Sequence, residues 1–210
     1  MYTTIKQQII NWEIKPGTKI SEKEVAEKLE VSRTPVREAF LQLAQEELLE
    51  IIPQSGTIVS NIDLELVEEA RFVRERIETA VAREVCGCIS EESVFQLEMN
   101  LSMQELCLEK RTHQRLFELD ESFHKILFDE SNKSRTWSMI RQMNSHFDRL
   151  RVLRLAANPN WNVVVSQHKE IFQAIVNNDP DQAEQIMESH LKLVNFEKEE
   201  LKKQYPDYFK

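Results

Sequence analysis

Through most of this chain the apolar residues return every third or fourth position, the spacing of one helix face. Only between residues 51 and 59 does the pattern give way to paired β-branched residues. Val25, Ala26 and Leu29 share a helical face, and Ser21 with Glu24 three residues on forms a capping box ahead of them, predicting a helix from about Glu22 to Leu29. Glu30-Val31 make a tight connection. Ser32 is a good N-cap for a second helix, Pro35 is tolerated in a first turn whose amides lack intrahelical partners, and Val36, Ala39, Phe40 and Leu43 supply its apolar face. Ile51-Ile52 and Ile58-Val59 then flank the turn formers Pro53-Gln54-Ser55-Gly56, which predicts a hairpin.

Ser60-Asn61-Ile62-Asp63 reads as a short polar joint. Beyond it the periodicity predicts six helices, at about 63–87, 90–109, 112–130, 134–156, 160–177 and 180–203, with boundaries marked by Asp63, Ser90, Thr112, Ser134, Pro159 and Pro180. Val67, Ala70, Val73, Ile77 and Val81 give the first of these a buried stripe, and no fixed-period repeat or low-complexity segment interrupts the series. The expected fold class is mainly α: a winged helix-turn-helix over residues 1–60, then an antiparallel all-helical bundle of about six helices over 64–205.

The second helix leaves Arg33, Thr34, Arg37 and Glu38 off its apolar face, where side chains near a helix N-terminus can reach base edges. An ordinary ion-paired surface helix would place carboxylates four residues beyond its arginines. Here those positions hold Arg37 and Leu41. The stretch Lys15-Pro16-Gly17-Thr18-Lys19-Ile20-Ser21-Glu22-Lys23-Glu24-Val25-Ala26-Glu27-Lys28-Leu29, continuing through Val31-Ser32-Arg33-Thr34-Pro35-Val36-Arg37-Glu38-Ala39, resembles the signature of the GntR family of bacterial transcription regulators, in its FadR-like branch and VanR-like six-helix variant. The resemblance implies DNA contacts from Arg33, Thr34 and Arg37 on the recognition helix, from Lys23 before it, and from Gly56 where the wing meets the minor groove. Arginine suits the role because its planar fork binds guanine O6 and N7 together. Gln54-Ser55 occupy a wing tip where relatives often carry arginine, and Glu47 stands at a frequent glycine, so the wing is expected to add little affinity.

Composition refines this picture. The chain has 210 residues, 41% of them hydrophobic, with only 3 Gly and 6 Pro, enough to bury real cores and too little turn chemistry for a sheet-rich fold. No apolar run reaches membrane-spanning length, and Met1-Tyr2-Thr3-Thr4 does not open a signal peptide, so a cytoplasmic protein with no membrane partner is expected. Cys86, Cys88 and Cys107 are an odd, unpatterned set, read as reduced thiols; the lone Cys86-Gly87-Cys88 is weak evidence for a metal clip. The net charge of −9 runs against the usual footprint of a DNA binder, but residues 1–60 carry seven basic against nine acidic side chains, so most of the acidity lies elsewhere. Lys19, Lys23, Lys28, Arg33 and Arg37 cluster at the expected DNA face, which predicts weak non-specific affinity and salt-sensitive operator binding.

In the bundle, Asp120-Glu121-Ser122-Phe123-His124 sets a carboxylate and an imidazole four residues apart on one helix face. His168 and His190 fall on the two final helices, joined by Asn177-Asn178-Asp179-Pro180, an antiparallel pair expected to bring both rings toward the centre. Three nitrogens and one oxygen suit zinc, nickel, manganese or iron, zinc foremost, with positions open for water or an effector. On spacing alone a histidine in an apolar segment is more often a satisfied core residue than a ligand. Residues 64–195 resemble the FCD effector domain of the same branch, and that resemblance implies Asp120, His124, His168 and His190 as metal ligands, with Arg74 matching a recurring arginine of its first helix. Arg149 and Arg151 are candidates to point inward with Arg74 and receive a small carboxylate, although each is also readable as a surface ion pair. His113 is expected to be solvated, and His146 either to line the same cavity or to face outward.

These features point to a homodimeric repressor that reads a palindromic double-stranded operator and responds to a carboxylate. A metal-dependent hydrolase or oxygenase on the bundle is the alternative, weakened by the lack of a separate general base and by the unused first sixty residues. A purely structural metal in a dimerisation module is a third.

Overall fold

A computed structural model describes residues 1–54, 56–157 and 161–210, without the side chains of 194–197. Ser55 of the expected wing turn, and Pro159 and Asn160 at the expected start of the fifth bundle helix, lie outside the described residues. The N-terminal unit runs α1 (Tyr2–Ile10), β1 (Lys19–Ile20), α2 (Glu22–Lys28), α3 (Arg33–Gln45), β2 (Leu49–Ile52) and β3 (Gly56–Val59), the strands forming an antiparallel sheet in the order β1-β3-β2. The Ser21 cap is made as expected, its Oγ accepting from the Glu24 amide at 3.1 Å. Ser32 starts α3 without a side-chain cap bond. Ile5, Ile9, Phe40 and Leu43 pack the centre of this unit. Glu47, between α3 and β2, adopts a left-handed φ of 59°, the conformation that favours glycine.

The bundle contains α4 (Leu64–Val85), α5 (Glu91–Lys110), α6 (His113–Glu130), α7 (Ser134–Met143), α8 (Ser145–Ala157), α9 (Asn162–Val176), α10 (Pro180–Leu191) and α11 (Leu193–Gln204), closed by a 3₁₀ turn at Pro206–Tyr208. Two of the six expected helices are therefore broken. The one expected at 134–156 divides at Asn144, and the one expected at 180–203 divides at Lys192, each break made by a residue with ψ near 0°. Neither break has a sequence marker, since Asn costs a helix only a fraction of a kcal/mol.

The first break matters because it frees α8 to lie between the two units. From Ser145 to Leu153 every residue of α8 is buried, although the run includes His146, Asp148, Arg149 and Arg151. Two of its side chains grip the N-terminal unit and the joint. His146 Nδ1 accepts from the Asp63 amide at 3.0 Å while its Nε2 donates to the Glu47 carbonyl at 3.1 Å. Arg149 donates to the Ser60 carbonyl at 2.7 Å, and its own carbonyl accepts from Trp12 Nε1 at 3.1 Å. The C-terminal segment closes the same joint, with the Ile62 amide bonded to the Tyr208 carbonyl and the Lys210 amide to the Ile62 carbonyl.

His146 makes the junction acid-sensitive. Burial, then the Arg149 charge beside it, lower its pKa to about 4 from an ordinary 6.5. The unfolded chain then binds the proton more readily than the folded one, so the contribution of His146 to stability is complete above pH 6.5 and is lost as pH falls toward 4. Between pH 7 and pH 4 this group alone should cost about 3 kcal/mol. Urea titrations at both pH values should show a His146→Gln protein losing less stability than the parent by about that amount; equal losses would exclude the effect.

Candidate functional site

The four expected ligands converge. Asp120 and His124 come from one face of α6, His168 from α9 and His190 from α10, and all four are buried. His190 Nε2 lies 3.3 Å from both His124 Nε2 and His168 Nε2, and the Asp120 oxygens lie 3.6 Å from His168 Nε2 and 3.8 Å from His124 Nε2. Donors bound at 2.0–2.1 Å around a tetrahedral zinc stand about 3.3 Å apart. An oxygen stands behind each imidazole at Nδ1: Gln104 Oε1 at 2.8 Å for His168 and Gln167 Oε1 at 3.3 Å for His190 are hydrogen-bonded, whereas Glu78 Oε2, 2.5 Å from His124 Nδ1, is in ion-pair contact without hydrogen-bond geometry. The two glutamine contacts put the proton on Nδ1 of His168 and His190, and the Nε2 atoms of all three rings face one another, an arrangement that a cation at their centre satisfies. Gln104 cannot turn round, because its Nε2 donates to Asn100 Oδ1 at 2.6 Å and Asn100 Nδ2 in turn donates to the Leu119 carbonyl at 2.9 Å.

Electrostatics favour the same protonation pattern. Burial lowers His168 to about 3 and takes His190 well below its ordinary value, so both rings are neutral at pH 7 and ligate without giving up a proton. Burial alone would raise Asp120, but the Arg151 guanidinium holds its carboxyl well below the usual carboxylate range. Glu78 is likewise held at about 2 by Arg74, against the effect of burial. The donor set and its second layer fit a divalent metal.

Beside the ligands lies a small cavity of about 30 Å³, room for a water or two, with Arg74, Asp120, Phe147, Arg151, Arg154 and His190 in its wall. Arg74, 1% exposed, uses Nε on Glu78 and has no hydrogen-bond partner for either Nη; Glu121 Oε1 stands 3.9 Å from Nη1. Arg151 is committed to Asp120, to Glu121 at 2.5 Å and to Asp148 at 3.5 Å. Arg149, the third expected arginine, is not brought here: it faces Ser60 at the interdomain joint, because residues two apart on a helix point about 200° apart. His146 neither lines this cavity nor faces outward, and His113 is half-buried with its ring edge-on to Trp161 rather than solvated. Glu78, Gln104 and Gln167 were absent from the expected site. Only Glu78 carried a signal, four residues beyond Arg74 on the same helix face.

At the other end of the molecule, Arg33, Thr34 and Arg37 are exposed on the first turns of α3, and no ion pair to either arginine occurs among the described residues. Lys23 is exposed with Glu27 3.8 Å away. Gly56, the first residue of β3, has φ 108° and open space where a side chain would stand, and Gln54, two residues before it, has a φ of 62°. Cys86, Cys88 and Cys107 are free thiols.

A winged helix-turn-helix presenting exposed arginines, joined through a buried helix to a bundle with a buried Asp and His cluster, defines a DNA-binding regulator with its own effector domain. Residues 1–59 match the bacterial regulatory proteins of the gntR family and residues 69–193 match the FCD domain. The chain belongs to the GntR family, in its FCD-containing group. It is 34% identical over 209 residues to the HTH-type transcriptional repressor RspR of Escherichia coli K12, covering 100% of this chain and 92% of that one. It is 35% identical over 212 residues to an HTH-type transcriptional regulator in an unstable DNA locus of Streptomyces ambofaciens, covering 100% and 88%. The solved structure of E. coli McbR/YncC shares the fold, with a TM-score of 0.82 at 20% identity over 97% of this chain and 96% of that one. A GntR regulator of Rhodococcus sp. RHA1 superposes with a TM-score of 0.78 at 20% identity, covering 100% and 97%. The family consists of transcription regulators, so the hydrolase or oxygenase alternative is not favoured. No described helix is long and apolar enough to cross a membrane.

Proposed function

We propose that this chain is a cytoplasmic homodimeric repressor whose heads, residues 1–60, read a palindromic operator through Lys23, Arg33, Thr34, Arg37 and Gly56. Its 64–205 domain senses a small carboxylate at a divalent metal, zinc foremost, held by Asp120, His124, His168 and His190. The observation that carries the sensor half is Arg74: a buried guanidinium with both Nη atoms unpartnered, in the wall of a cavity that it shares with Asp120 and His190. Leaving a buried cation half-satisfied is costly, and a bidentate carboxylate is its natural complement. Metal occupancy adds to the demand for an anion, because the surrounding Glu78, Asp120 and Glu121 are already engaged with Arg74, Arg141 and Arg151. Repression is supported by the printed name of the E. coli relative. A dimer would place two recognition helices about one DNA turn apart, the spacing a palindrome requires. The carboxylate must bind one arrangement of the heads better than the other to alter occupancy.

A thermal-shift screen of metabolite carboxylates against zinc-loaded protein, with hits carried into binding of DNA from the protein's own upstream region, tests this directly. One acid should raise the thermal midpoint only in the presence of metal and change the DNA dissociation constant by about 5–150-fold. Acids that stabilise equally without metal, or DNA binding indifferent to every hit, would remove the sensor role.

A further inference from the structure

Of the three residues behind the histidines, Glu78 alone is a carboxylate, and it is wedged between two fixed groups. Its Oε1 accepts from Arg74 Nε and its Oε2 stands 2.5 Å from His124 Nδ1 in ion-pair contact, off the line of a hydrogen bond, all three side chains being 1% exposed or less. Gln104 and Gln167 offer His168 and His190 only neutral amide oxygens, the second of them at 3.3 Å. A carboxylate behind a ligating imidazole raises its basicity and fixes its tautomer more strongly than an amide does.

We infer that Glu78 is the principal positioning residue of the metal centre, setting its affinity by orienting and polarising His124, with Arg74 as the counter-charge that keeps the carboxylate in place. This rests on metal binding as proposed above. No orientation of a glutamine at 78 serves both neighbours: an amide oxygen turned to His124 sets an N–H against Arg74 Nε, and the reverse turn sets an N–H against His124 Nδ1.

The test is a zinc titration against a chromophoric chelator on the full chain, comparing the parent with Glu78→Gln and with Gln167→Ala, and far-UV circular dichroism on each. Glu78→Gln should bind zinc about 10–100-fold more weakly with unchanged helicity, and Gln167→Ala should change affinity by less than about threefold. The visible spectrum of Co²⁺-loaded protein, which reports ligand geometry, should shift in the first variant and not in the second. Should Glu78→Gln fail to fold, the charge-balanced Arg74→Met/Glu78→Gln protein carries the test, with the same loss expected. A parent that takes up zinc beside a Glu78 variant of equal affinity would overturn the role of Glu78 and leave the metal centre standing. A parent that takes up neither zinc nor cobalt would overturn the metal centre, and this role with it.

Discussion

A protein carrying Arg33→Ala and Arg37→Ala together should lose specific operator binding while keeping its fold. Both side chains are exposed at the start of α3, neither has an ion pair to lose among the described residues, and the apolar face beneath them, from Val36 to Leu43, is untouched. Each arginine that reads a guanine contributes about 1–3 kcal/mol of discrimination, so the pair accounts for roughly 2–6 kcal/mol per head, or about 30-fold or more in the dissociation constant. Lys23→Ala is the contrasting control: a phosphate contact should weaken all duplexes alike and flatten the salt dependence by about one ion per head. Fluorescence anisotropy on operator and scrambled duplexes across a range of salt separates the two effects. If the double variant binds the operator as its parent does, α3 is not the reading element, whatever its resemblance to one.

How much of this could be read beforehand depended on how local the determining physics was. Helix-turn-helix, wing and the Asp120–His124 pair lie within single elements or tight turns, where capping, periodicity and i,i+4 spacing are sufficient. The meeting of His168 with His190 needed only a short turn between α9 and α10. Arg149 was misplaced because orientation around α8 is decided by what packs on each side, and nothing near Arg149 in sequence says that the DNA-binding unit does. Helix α1 escaped notice because Met1 provides no side-chain cap, and β1, two residues long, exists only through its pairing of Lys19 with Ile58 and Ile20 with Thr57. The Nδ1 partners of the histidines are tertiary in the same sense, Gln104 lying 64 residues from His168.

That convergence makes the proposed metal centre the part of the bundle most exposed to a single change. A His168→Ala protein should no longer gain thermal stability from zinc, and its zinc content after dialysis should fall from one per chain to near zero. If the parent binds zinc as proposed, zinc at about a thousand times its dissociation constant should stabilise the folded chain by about 4 kcal/mol, which for a protein of this size raises the thermal midpoint by about 8–16 °C. Alanine at 168 removes one of four donors, leaves the Gln104 oxygen without its imidazole, and takes away the ring stacked on Phe123 at 4.4 Å. The metal-free variant should therefore also melt somewhat below the metal-free parent. Asp120→Ala removes the same metal by a different route: it leaves Arg151 with Glu121 and Asp148 and takes away the carboxylate facing two of the imidazoles. Two chemically unlike deletions that abolish the same zinc-dependent shift would point to one shared ion. Zinc stoichiometry unchanged in both would mean that the three imidazoles and the carboxylate form a hydrogen-bonded core cluster, with the ion bound elsewhere on the protein.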